Sequence, residues 1–159
     1  MGREEMGRAT DMTTLRAPAS PTPEQVRRAV EDHCRHWNAR EQAAWTALFA
    51  DDVTFDDPVG VPTKRGAQAV RDSWERSLTP GRSWRLVPER IVVCADEAAV
   101  QMRNEGTISP EPGSTETGDR RVVVHSIEIW TVRADGRVGA VRAYFEPDPA
   151  VNADYFVPH

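Results

Sequence analysis

The spacing of apolar positions changes character midway along the chain. From Thr22 to Leu78 they recur at helical intervals, and from Trp84 onward they alternate. Thr22-Pro23-Glu24-Gln25 reads as a helix start, with threonine at the N-cap, proline at the first helical position and glutamine completing a capping box. Val26, Ala29, Val30, His33 and Trp37 then share one face, so His33 is expected to point inward. A second short helix is predicted over about 41–50, with Trp45, Leu48 and Phe49 on one side. A strand is predicted at Val53-Thr-Phe-Asp56, stopping at Pro58-Val-Gly60. A third helix covers about 65–78, with Val70, Trp74 and Leu78 turned in.

The second half reads as long β-runs: 84–94, 98–108, 121–132 and 138–146. Asp135-Gly136 signals a tight turn between the last two, and 109–120, rich in Pro, Gly, Ser and Thr, a long hairpin loop. Helices followed by an antiparallel meander predict an α+β domain. The last strands are apolar on both faces, which implies helices packed on one side and a subunit partner on the other.

Around this domain, placed at 22–147, residues 1–21 read as a disordered leader, with Met6 and Met12 as alternative starts, and 148–159 as a tail whose Tyr155, Phe156 and Val157 could dock. The net charge of −5, from 20 basic and 25 acidic residues, argues against a nucleic-acid partner. Lys64 is the sole lysine among the basic residues, and the arginines are scattered. No signal peptide or membrane-spanning run is legible, and two distant cysteines, Cys34 and Cys94, form neither a disulfide framework nor a metal knuckle. A soluble, cytoplasmic protein without a membrane partner is expected.

Three residues carry candidate chemistry. Alternation puts Asp57 on the inward face with Val53 and Phe55, where burial would raise its pKa and make it a candidate general base; it could instead cap the turn before Pro58. Glu128 shares a face with Val124, Ser126 and Trp130, where a carboxyl must be neutral or paired. Arg103 or Arg142 could pair with it, or a neutral Glu128 could donate to a developing oxyanion. His33 is either a satisfied core histidine or a further donor. His33 and His36 have no carboxylate at ligand spacing on their helical face, so no metal site is expected, and neither a phosphate loop nor a nucleophile elbow occurs.

Leu48-Phe-Ala-Asp-Asp-Val-Thr-Phe-Asp-Asp-Pro-Val-Gly60, followed by Ala98-Ala-Val100, Ser126-Ile-Glu-Ile-Trp-Thr-Val-Arg-Ala-Asp-Gly-Arg-Val138 and Val141-Arg-Ala-Tyr-Phe145, resembles the ketosteroid isomerases of the SnoaL-like, nuclear transport factor 2-like superfamily. The resemblance implies a cone of curved antiparallel sheet wrapped on three helices, a homodimer, and proton transfer on an enolisable ketone without a cofactor. It matches Asp57 to the base, Glu128 to the protonated acid one methylene longer, and His33 to the place of an oxyanion tyrosine. A histidine there would change charge near neutral pH, unlike a tyrosine. Phe49 and Trp74 replace supporting tyrosines of some members. The expected substrate is small and hydrophobic, held by Val53, Phe55, Val70, Trp74, Val100, Met102, Trp130 and Phe145. Polyketide cyclisation or epoxide opening is an alternative chemistry, and a non-catalytic binding module is a third reading.

Overall fold

A computed structural model describes residues 20–110 and 112–146; the tail at 148–159 and nearly all of the leader lie outside the described residues. Helix α1 spans Pro23–Asn38, α2 Gln42–Ala47 and α3 Gly66–Ser77. The strands are β1 Phe49–Asp56, β2 Lys64–Arg65, β3 Arg82–Cys94, β4 Glu97–Ile108, β5 Arg120–Val132 and β6 Val138–Tyr144. The capping box forms as its residues dictate: the Gln25 N–H donates to Thr22 Oγ1 at 3.2 Å and the Thr22 N–H to Gln25 Oε1 at 2.8 Å.

The six strands form one sheet in the order β2-β1-β6-β5-β4-β3. The antiparallel meander covers β3 through β6, whereas β1 lies parallel to β6 and β2 antiparallel to β1. The sheet is therefore mixed. The predicted second helix is correspondingly too long. Trp45, Leu48 and Phe49 suit one helical face, but the Leu48 carbonyl accepts from the Val138 N–H at 2.8 Å and Phe49 pairs with Val138, so β6 draws the chain into extended form after Leu48. β2 was not anticipated, since two residues carry no period.

Alternation along the meander separates two faces. Ala98, Val100 and Met102 of β4, and Ser126, Glu128, Trp130 and Val132 of β5, are buried beneath the helices. Val92, Val123, Ile127 and Tyr144 are exposed, and in register Ile127 sits between Gln101 and Tyr144 on the outer face. Inside, Trp37, Trp45 and Trp74 pack with ring centroids 5.2–5.3 Å apart, and Phe49 stacks edge-on to Trp45 at 4.8 Å. Such aromatic pairs add about 0.5–1.5 kcal/mol each beyond area burial.

The end of α1 is tied to β3 by hydrogen bonds. The Trp37 indole N–H and the Arg40 guanidinium both donate to the Trp84 carbonyl, at 3.1 and 3.2 Å. The Asn38 amide bonds both backbone groups of Leu86, donating at 2.8 Å and accepting at 2.9 Å. Opposite Trp84 on β4 stands Gly106, where a Cβ would meet the Trp84 ring at 2.6 Å. Only glycine lets the indole lie flat across the strand. Gly106→Ala is therefore expected to displace Trp84 and cost about 1–3 kcal/mol of stability, measured by denaturant unfolding, with a change in near-ultraviolet circular dichroism.

Candidate active site

Between the helices and the inner face of the sheet lies a cavity of about 220 Å³. Its walls are mainly aromatic and aliphatic, formed by Trp37, Trp45, Phe55, Trp84, Leu86, Val124, Trp130, Val141 and Phe145. His33 of α1, Asp57 just after β1 and Glu128 of β5 all line it. The structure thus brings the three predicted polar residues together from three separate elements.

His33 is enclosed by rings, with Trp130 at 4.6 Å, Trp45 at 5.8 Å and Phe49 at 6.2 Å between centroids. The Trp45 indole N–H donates to His33 Nδ1 at 2.9 Å. An indole nitrogen can only donate, so Nδ1 must be the acceptor and Nε2 carries the ring proton. Burial lowers the His33 pKa from 6.5 to about 3. The expectation of a charge change near neutral pH is corrected by these surroundings: the imidazole stays neutral, because an imidazolium would lose its hydration and set two N–H groups against each other.

Glu128 is 9% exposed, and its oxygens accept from two donors: Ser126 Oγ to Oε1 and Trp130 Nε1 to Oε2, both at 2.9 Å. Asn104 donates in turn to Ser126 Oγ at 3.4 Å. Burial raises the Glu128 pKa to about 7, the two hydrogen bonds pull it down, and the charge of Asp57 pushes it up. The proposed pairing with arginine does not occur. Arg103 bonds Glu89 and Glu105, and Arg142 lies 3.6 Å from Asp56, because both arginines point to the outer face.

Asp57 is also raised by burial, but Lys64 and Arg76 oppose the shift. The environment therefore separates the two carboxyls: cations favour charge on Asp57, and that charge holds the proton on Glu128. Cys34 takes no part as a nucleophile, since burial pushes its thiol up to about 12. Among the described residues no group of three His, Cys, Asp or Glu side chains is placed to hold a metal, and no helix is long and apolar enough to cross a membrane.

A profile of the SnoaL-like domain family matches residues 30–151. The chain belongs to the SnoaL-like domain family. It is 33% identical over 109 residues to a steroid Δ-isomerase of Nocardioides simplex, covering 69% of this chain and 80% of that protein. Its fold matches an epoxide hydrolase of the LEH-like type from Mycobacterium tuberculosis with a TM-score of 0.65 and 21% identity, over 79% of this chain and 86% of the other. It also matches SalBIII, an epoxide hydrolase/cyclase-like enzyme in pyran ring formation in polyether salinomycin, with a TM-score of 0.66 and 22% identity, over 77% and 92% of the two chains.

In this SnoaL-like domain, Phe55, Trp130 and Phe145 line the cavity as expected from sequence. Val53, Val70, Trp74, Val100 and Met102 do not. They face inward but pack among other core side chains, outside the cavity wall. The sequence reading missed Lys64, Ser73, Arg76, Ser77, Arg82 and Asn104, which form the polar part of the wall. Ser73, Arg76 and Ser77 recur at helical spacing on α3, a signal indistinguishable from an ordinary solvated face. Trp45→Phe is expected to remove the donor that fixes His33. Because burial still holds the His33 pKa down at about 3, the imidazole should stay neutral but lose its fixed tautomer, observable as a mixture of Nδ1–H and Nε2–H forms in the ring-nitrogen chemical shifts at neutral pH.

Proposed function

We propose that the protein is a cofactor-independent isomerase of the ketosteroid isomerase type, acting on a small hydrophobic carbonyl compound. The observation that carries this reading is the Trp45–His33 hydrogen bond, which leaves a neutral imidazole with its Nε2–H as the remaining donor in an apolar cavity. The Asp57 carboxylate removes a proton from the carbon between ketone and alkene. The C–H electrons move toward the carbonyl, whose oxygen becomes an enolate. His33 Nε2–H and the protonated Glu128 hydrogen-bond that oxygen, each contributing on the order of 3 kcal/mol. Asp57 then returns the proton to the far end of the dienolate, and the double bond comes into conjugation. The likeness to the Nocardioides simplex steroid Δ-isomerase supports this reading.

The mechanism needs Asp57 charged and Glu128 protonated. As pH rises through about 7, Glu128 loses its proton and kcat/KM should fall; at the acid end the rate should fall as Asp57 protonates, above the usual carboxylate range. Conversion of a β,γ-unsaturated ketosteroid to its conjugated isomer, followed by ultraviolet absorbance, tests this. Asp57→Asn should abolish turnover with little loss of folding. Glu128→Gln should slow it by about two to three decades and remove the alkaline limb. Full activity in Asp57→Asn would refute the mechanism.

A second reading, epoxide opening or polyketide cyclisation, is favoured by one feature of Glu128. Donors already wait at both its oxygens, and these would stabilise the carboxylate left after complete proton transfer to a leaving oxygen. In that reading Asp57 activates the attacking hydroxyl or water. Consumption of an epoxide with no ketosteroid turnover would select it.

We also propose that a second copy covers the outer sheet face, where Val123 is 55% and Ile127 50% exposed on otherwise long paired strands. Ile127→Arg should halve the solution mass in sedimentation and leave the far-ultraviolet circular dichroism unchanged.

A further inference from the structure

From Ala98 to Gly106 the inner row of β4 runs Ala98, Val100, Met102, Asn104 and Gly106, and Asn104 is its one polar member. The others are buried, whereas Asn104 is half-buried and lines the cavity. In register it lies between Leu86 of β3 and Val124 of β5, both also in the cavity wall. Beyond it the Trp84 ring lies against Gly106. An amide thus interrupts an apolar stretch of wall.

The orientation of that amide follows from its neighbours. Ser126 has a single hydroxyl hydrogen, and it goes to Glu128 Oε1 at 2.9 Å. Ser126 Oγ can therefore only accept from Asn104, so the amide turns its Nδ2 toward Ser126, at 3.4 Å, and its carbonyl away. Among the described residues nothing donates to Asn104 Oδ1, and no enclosed side-chain oxygen lacks a partner. Oδ1 is therefore an acceptor open to the cavity. Such an acceptor favours a ligand that brings a hydrogen to it and penalises one that covers it with carbon.

We propose that Asn104 is a specificity-determining residue, and that the natural substrate carries a hydroxyl group which donates to its Oδ1. The proposal rests on the isomerase reading only for placing the substrate's carbonyl oxygen at Glu128. Two hydrogen bonds end to end join Asn104 to Glu128 Oε1 through Ser126. The hydroxyl and the carbonyl therefore stand about one fused ring apart on the same molecule. The substrate is a hydroxylated cyclic ketone, not a ketone on a plain hydrocarbon skeleton.

The test is binding, not turnover, so it is scored whether or not the protein isomerises anything. The probes are α-tetralone, its isomeric derivatives with a phenolic hydroxyl out of reach of their own ketone, and the methyl ether of each. These are bicyclic ketones suited to a cavity of about 220 Å³. Affinities are measured by isothermal titration calorimetry in mildly acidic buffer, where the phenols keep their protons. At least one hydroxytetralone should bind the wild-type protein about tenfold more tightly than α-tetralone, and its methyl ether should lose that margin. Asn104→Leu and Asn104→Ala should each level the series. The wild-type comparison of phenol with ether decides the matter even where a variant folds poorly. Equal binding of α-tetralone and every hydroxytetralone overturns the proposal, as does an ether that binds as tightly as its phenol, or no binding by any hydroxytetralone. A margin that persists in both Asn104 variants also overturns it, since another wall residue such as Ser77 would then hold the hydroxyl. Ketosteroid turnover beside a level tetralone series would leave the isomerase reading standing and remove this one; a hydroxyl preference without turnover would do the reverse.

Discussion

One hydrogen bond governs the chemistry of this cavity: the Trp45 indole N–H to His33 Nδ1 at 2.9 Å. It joins α1 to α2 within the aromatic cluster and determines which imidazole nitrogen bears the proton. Burial alone would make His33 neutral but would leave its tautomer open. The indole, having no acceptor to offer, removes that freedom. Polar recognition at the floor of the cavity is thus set by a residue that also packs against Trp37, Trp74 and Phe49.

The two carboxyls are separated by a different means. Among the described residues neither sits in an arginine pair, and both are pushed upward by loss of water. What distinguishes them is the company each keeps. Asp57 feels Lys64 and Arg76, whereas Glu128 feels Asp57 and two neutral donors. Two acids of similar intrinsic strength thereby feel opposed influences within one small volume: nearby cations favour the charged form of Asp57, and the Asp57 charge disfavours that of Glu128.

Much of this was legible in the order of residues. The capping box at Thr22, the inward face carrying His33, the alternation that turns Asp57 inward and the position of Glu128 between Ser126 and Trp130 all follow from local periods. What was not legible depends on contacts between elements. Trp45 and His33 lie 12 positions apart on different helices, and no period links them. Val100 and Met102 point inward as expected, but direction alone does not tell a sealed core position from a cavity wall. Arg76 reads as solvated surface on α3 until the fold sets it in the wall of the cavity. The parallel seating of β1 on β6 was equally hidden, since it follows from the Leu48–Val138 contact across most of the chain.

The Asn38 clasp on Leu86 has a consequence for assembly. β3 is a margin of the sheet, and a bare margin is a template on which another strand can add. By occupying both the N–H and the carbonyl of Leu86, Asn38 interrupts that template in mid-strand. Copies of this protein are therefore discouraged from lengthening one another's sheets side by side. The proposed association through the flat of the sheet would close on itself after two copies, whereas strand-by-strand addition would continue without limit. With Trp37 and Arg40 holding the Trp84 carbonyl, Asn38 thus works against strand-by-strand growth along this edge.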